Sequence, residues 1–179
     1  MKVFINPGHM VGVDAGAVNG MHHEAQIAVN VGELVNNYLK NVGYDVMMMQ
    51  SDNLCGESPA YPNVCSTANA WGADVFVSIH CNAASPVAKG TECFVFSVDS
   101  ESEKLANCIQ SQIVYSLNTV DRGVKVNPKL IVLKYTNMVA VLVEMAFISN
   151  DDDLKLLTEK QDEFARAIAR GISDYNAMR

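Results

Sequence analysis

Val75, Phe76, Val77 and Ile79 form the apolar body of the stretch DVFVSIHCNA (74–83), which gives way abruptly to His80, Cys81 and Asn82. A run rich in β-branched and aromatic residues suits a strand covered on both faces, as in a mainly parallel sheet packed between helices. A histidine at the carboxyl end of such a strand stands where open α/β sheets keep their ligand crevices. A second run, AVLVEMAF (140–147), is continuous in apolar residues except for Glu144. A carboxylate in that setting is costly unless it meets a cation, holds a proton, or lies at the open end of the sheet beside a metal or substrate.

The segments around these runs alternate between strand and helix patterns. Lys2 to Asn6 reads as a first strand that enters a loop containing Gly8, His9, Gly12, Asp14, Gly16 and Gly20. The glycines do not fall as G-x-G-x-x-G and no Walker lysine follows, so the loop is read as one that brings its backbone and His9 close to a ligand. From His22 to about Val42, apolar Ile27, Val31, Leu34, Val35, Tyr38 and Leu39 recur at helical spacing, with His22, His23 and Glu24 in the opening turn. Tyr44 to Met49 predicts a strand, Asn63 to Trp71 a short helix, and Thr91 to Ser97 another strand. Ser100-x-x-Glu103 offers a capping box to a helix carrying Leu105, Ile109, Ile113 and Leu117. Polar Asp121 to Lys129 reads as a surface loop, and Leu130 to Leu133 and Val139 to Met145 as the last strands. Asn150 caps a following helix, and Thr158-x-x-Gln161 offers a second capping box before the final helix with Phe164, Ile168, Ile172 and Tyr175. The pattern predicts a three-layer α/β fold: a mostly parallel or mixed sheet of about six strands with helices on both faces.

Composition narrows the function. At 179 residues the chain suits a single domain spanning 1–179 with a substantial core. No apolar run approaches the roughly 20 residues that a membrane span needs. The amino-terminal MKVFINPGHM reads as a strand rather than a signal peptide, so no export signal is expected in it. A net charge of −7 lacks the positive footprint of a nucleic-acid or anionic-membrane partner. The five cysteines (Cys55, Cys65, Cys81, Cys93, Cys108) are odd in number and contain no C-x-x-C pair, so free buried thiols are expected, with Cys55–Cys65 the one pairing left open.

All four histidines fall after strands (His9, His80) or at the start of the first helix (His22, His23). Two imidazoles and one carboxylate, with a fourth position free for water, make the ligand set of catalytic zinc. The candidate set is His9, Glu24 and His80, with His22 or His23 as rivals to Glu24. Glu144 would then be the carboxylate that takes a proton from attacking water. Cys81 adjoins His80, but strand alternation points neighbours to opposite faces, which argues against a cysteine nucleophile.

Five segments, NPGH (6–9), Glu24 at the helix start, FVSIHCNA (76–83), DRGVK (121–125) and AVLVEMAFISN (140–150), together resemble the zinc-dependent N-acetylmuramoyl-L-alanine amidases, the peptidoglycan hydrolases of autolysins and phage endolysins. The resemblance covers essentially the whole chain. It implies a zinc-exopeptidase-like fold, bound Zn2+, and cleavage of the amide between the lactyl group of N-acetylmuramic acid and L-alanine. It implies His9, Glu24 and His80 as zinc ligands and Glu144 as catalytic glutamate, with Asn82 near the site, either holding His80 or substrate or capping the strand end. A monomeric single catalytic domain acting at the cell wall on peptidoglycan is expected, with no wall-binding domain within these residues. The chain departs from the family pattern at Met10-Val11-Gly12, Val139 and Ala146, and lacks the arginines usual between the second strand and the central one. A zinc carboxypeptidase of the same fold and a non-catalytic wall-binding module are the alternative readings.

Overall fold

The structure is a computed structural model that describes all of residues 1–179. Its element order is β1 (Lys2–Pro7), β2 (Val18–Asn19), β3 (His22–His23), α1 (Glu24–Asn41), β4 (Asp45–Met48), α2 (Val64–Trp71), β5 (Val75–Asn82), β6 (Thr91–Val95), α3 (Glu101–Leu117), β7 (Asp121–Val126), α4 (Ile131–Lys134), β8 (Val139–Phe147), α5 (Asp151–Glu159) and α6 (Gln161–Ala177). The main sheet has six strands in the order β4-β1-β5-β8-β6-β7. Only the β6–β8 pairing is antiparallel, so the expected mostly parallel sheet is found.

Strand alternation divides the interior into two unequal parts. Val3 and Ile5 of β1, Val75, Val77 and Ile79 of β5, and Val141, Val143 and Met145 of β8 face α1, α3 and α6, where they join a cluster of 30 buried residues. The opposite face carries a cluster of only 10, in which Phe4, Phe76, Ala140 and Leu142 meet Val64 and Ala68 of α2 and Val132 and Leu133 of α4. Phe4 and Phe76 stack there with ring centroids 5.5 Å apart. Because α2 and α4 are short, the carboxyl ends of β5 and β8 project past their cover on that face. The next inward positions in the alternation are Ser78 and His80 on β5 and Glu144 on β8.

Two predicted elements are corrected. Asp121–Val126 is not a loop but the edge strand β7, parallel to β6. An edge strand with one exposed flank carries polar residues, which is why its composition resembles a loop. Leu130 to Leu133 is not a strand: Ile131–Lys134 is one helical turn that places Val132 and Leu133 under the sheet. The Ser100 cap is found, with the Ser100 hydroxyl accepting from Glu103 N–H at 3.2 Å, and so is the Asn150 cap. The second capping box is absent, because Thr158 lies inside α5 and donates to Leu154 O instead. All five cysteines are free, so the Cys55–Cys65 pairing does not form. No helix is long and apolar enough to cross a membrane.

Helices α3 and α6 pack closely at Gly171, where an added Cβ would stand 2.5 Å from Ile109 Cα. Backbone cannot yield as a flexible side-chain tip can, so the helices must separate. Gly171→Ala is expected to destabilise the fold by about 1–3 kcal/mol despite alanine's better helix propensity. An unchanged urea midpoint would show that this approach carries no packing constraint.

Candidate active site

Three chain segments place His9, Glu24 and His80 so that one ligand atom from each lies within 4.8 Å of the others. His9 follows β1 with a left-handed backbone, φ 60°, a conformation that a non-glycine residue holds only when its surroundings enforce it. The enforcement is visible: Gly8 N–H donates to Ile79 O at 2.8 Å, and Met10 and Asp14 exchange backbone hydrogen bonds that fold the loop back. This return brings Asp14 Oδ2 to 2.6 Å from His9 Nδ1. With Nδ1–H donating to Asp14, the Nε2 lone pair faces Glu24 Oε2 at 3.1 Å. Gly8 must lack a side chain, since a Cβ there would lie 2.3 Å from the His80 ring.

Glu24 is the first residue of α1 and only 4% exposed. Its Oε2 accepts from Ala17 N–H at 2.9 Å and its Oε1 from Cys81 N–H at 3.0 Å, so the carboxylate is fixed by two backbone donors. Helix α1 starts later than the sequence pattern suggested. His22 and His23 form β3, paired with β2 in a small hairpin, and are not its opening turn. They line a separate cavity of about 500 Å³ with Gln26, Asn30, Thr158 and Gln161, and neither joins His9 and His80.

His80 ends the apolar run of β5. Its Nδ1 is 3.0 Å from Glu24 Oε1, and its Nε2 is 3.1 Å from Ser78 Oγ. Ser78 in turn donates to Asn6 Oδ1 at 2.9 Å, which leaves its oxygen to accept from His80 Nε2–H and directs the Nδ1 lone pair toward Glu24. Two lone pairs and an anionic carboxylate converging on one point repel one another unless a cation joins them. A proton on His9 is one answer: the hydrogen bond to Glu24 is the main reason the imidazole rises to about 9, against the effect of burial and with help from Asp14. A divalent metal is the other, and two imidazoles with a carboxylate are a donor set suited to it. Burial alone would raise Glu24, but His80 and His9 outweigh it and hold the carboxyl well below the usual range.

Glu144 is the register partner of His80 on the neighbouring parallel strand, so both side chains leave the sheet on one face. Its Oε2 is sealed from solvent and has no hydrogen-bond partner. Burial pushes its carboxyl up to about 7, His80 opposing and the charges of Glu24 and Glu92 adding to the rise. Such a group holds its proton loosely near neutrality. Cys81, by contrast, is buried on the opposite face, its thiol pushed well above the ordinary value mainly by burial, as expected of a core residue.

Three supporting residues escaped the sequence reading. Asp14 and Ser78 orient the two imidazoles, and nothing in periodicity marks them. Glu92 is different: it interrupts an apolar strand just as Glu144 does, a signal equally open to notice. It lies opposite Glu144 on β6 and is paired with Arg122 Nε at 2.7 Å and with Lys125 Nζ. Asn82 donates to Glu92 Oε1 at 2.7 Å and accepts from Ala83 N–H; it is Ser78 that holds His80.

Fold and site together define an α/β protein with a mixed sheet whose strand ends carry a candidate His–Glu–His metal centre beside a buried carboxyl. The chain belongs to the N-acetylmuramoyl-L-alanine amidase family, whose model matches residues 3–174. It is 40% identical over 178 residues to the uncharacterized protein YqiI of Bacillus subtilis, covering 97% of this chain and 84% of that one. It is 33% identical to the N-acetylmuramoyl-L-alanine amidase LytC of the same organism, covering 97% of this chain but 35% of LytC, so the chain spans about a third of that relative. Its fold matches the crystal structure of N-acetylmuramoyl-L-alanine amidase from Clostridium difficile 630 with a TM-score of 0.84 at 28% identity, over 99% of this chain and 97% of the other.

Glu144 carries a stability cost whose sign follows from its shift. Its folded pKa of about 7 exceeds the ordinary 4.5, so between these values the native state binds more protons and stability falls as pH rises. In protein treated with a chelator, Glu144→Gln should therefore be more stable at pH 8 by about 2 kcal/mol, a rise in Tm of roughly 5 °C, with the difference shrinking toward pH 4. Equal melting temperatures at pH 8 would mean that Glu144 bears no such cost.

Proposed function

We propose that residues 1–179 form a single catalytic domain that hydrolyses the amide between N-acetylmuramic acid and L-alanine in peptidoglycan, with zinc held by His9, Glu24 and His80 and with Glu144 as general base. The observation that carries this reading is the convergence of three ligand atoms beside the partnerless Glu144 Oε2. Family membership supports the substrate, and a Bacillus anthracis relative named as a cell wall amidase supports action at the cell wall. We take the chain to act as a monomer.

Zinc bound there supplies Lewis acidity, which polarises a carbonyl and acidifies water. The chain's own residues do the rest. Asp14 and Ser78 hold the imidazoles in the tautomers whose free lone pairs point inward. Glu144 accepts a proton from the attacking water and returns it to the nitrogen of the departing L-alanine, so that an amine rather than an amide anion leaves. A carboxyl poised near 7 can make both transfers without a large penalty in either direction. To Asn82, which donates to Glu92 at the end of β5, we assign a contact with substrate at the rim.

Incubation with muropeptides should release free L-alanine amino termini and create no new reducing ends; reducing ends would indicate a glycosidase instead. Trimming of free peptides in preference to muramoyl peptides would assign a carboxypeptidase. Glu144→Gln should retain zinc while losing about 10²–10⁴-fold in turnover, whereas His80→Ala should lose the metal. Full activity in either variant refutes the corresponding role.

A further inference from the structure

The charges beside Glu144 do not cancel. Glu92 contributes one negative charge, and Arg122 and Lys125 both contact its Oε2. One positive charge is left over, in a protein whose net charge is −7. This surplus lies at the end of a row across the sheet: His80 on β5 is in register with Glu144 on β8, and Glu144 with Glu92 on β6. Register partners project to the same face, so the row starts at the candidate metal ligand, passes the general base and ends at the two cations.

The backbone is shaped to bring both cations to this point. Residues 122 and 125 are three apart, and an uninterrupted strand would send them to opposite faces. The β6–β7 register shifts between Thr91 and Cys93, and Gly123 takes φ 76°. This bulge lets Arg122 and Lys125 reach the same carboxylate, a use of bulges that is common beside active sites. It also accounts for DRGVK, the one recognised segment that the proposed chemistry leaves without a role.

Arg122 is further fixed by its guanidinium, which lies over the Phe147 ring at 4.8 Å from the centroid. Its Nε is committed to Glu92, and its Nη1 makes only a long contact of 3.5 Å with Lys89 O. The outer edge of the fork is thus presented in a set orientation, and both cationic side chains keep partial exposure, 33% for Arg122 and 40% for Lys125. A planar fork beside an ammonium is matched by a carboxylate.

We propose that Arg122 and Lys125 form an anion subsite that receives a carboxylate of the stem peptide on the residue following L-alanine, and so select acidic peptides. The inference rests on the amidase reading above. Spacing sets the position: the cations lie one to two strand separations from Glu144, about 5–10 Å, and one extended residue beyond the scissile amide spans about 3–7 Å. Both are specificity residues and take no part in proton transfer.

The test compares N-acetylmuramoyl-L-alanyl-D-glutamate with the same compound in which both glutamyl carboxyls are carboxamides, by calorimetry on zinc-loaded protein in a Glu144→Gln background. The acid should bind about tenfold more tightly, and adding Arg122→Gln should abolish that preference while changing diamide affinity by less than about twofold. Because Arg122→Gln leaves Glu92 less compensated, the double change Glu92→Gln/Arg122→Gln serves as a second variant, and Lys125→Met should reduce the preference on its own. Equal losses for both ligands, or no preference in the parent, would overturn the proposal and confine the pair to holding Glu92. Failure of the amidase reading is a separate outcome: the unmodified protein would then leave muropeptides uncleaved, whatever the binding preference.

Discussion

The buried carboxylate of Glu24 is the constraint on which the rest of the site depends. An ion taken out of water needs replacement partners, and here they are Ala17 N–H, Cys81 N–H and a cation, a proton on His9 or a metal, shared with the imidazoles of His9 and His80. Each partner is thereby positioned relative to the others. The glycine-rich loop is pinned to the start of α1, and both are pinned to the end of β5. The left-handed backbone of His9 and the side-chain-free Gly8 follow from the same demand, because the loop must close over the His80 ring without displacing it.

The sheet decides where this can happen. Its two faces are unequal: α1, α3 and α6 build the larger core, while α2 and the single turn α4 cover only part of the other face. Polar groups at the carboxyl ends of β5 and β8 and at the amino end of the antiparallel β6 therefore alternate onto a face where apolar cover runs out. Ser78, Glu144 and Glu92 lie one pleat from Phe76, Leu142 and Phe94, and His80 one pleat beyond Ser78, so a few ångströms along the same strands separate core from chemistry.

That geometry explains what the sequence made legible. Apolar runs announce buried strands, and a titratable group that interrupts one stands out; His80 and Glu144 were visible for this reason, and Glu92 was equally so. Glu24 was harder, since a carboxylate at a helix start has an ordinary explanation in the helix dipole, and it took family resemblance to prefer it over His22 and His23. Asp14 and Ser78 gave no signal, because their roles arise from a loop return and a side-chain relay that only three-dimensional proximity creates. The expected six strands were found with one exchange of identity. Polar Asp121–Val126 is an edge strand and apolar Leu130–Leu133 falls largely in a helical turn, because composition reports burial and a short segment can be buried in either conformation.

The order of strands also bears on the proposed general base. Glu144 lies between His80 on one side and Glu92 on the other, and a bare second carboxylate directly across the ladder would press its pKa higher still, as like charges do in a shared site. A carboxyl protonated throughout the neutral range could give a proton but not take one from water. Despite its burial, Lys125 and Arg122 draw the Glu92 carboxyl below the ordinary value, so that it remains ionised, and its charge adds to the rise of Glu144. What raises Glu144 is then chiefly its own loss of water, and this brings it to about 7 rather than beyond. The edge strand β7, which contributes nothing to the candidate metal ligands, thus carries the two cations that keep Glu92 ionised beside Glu144.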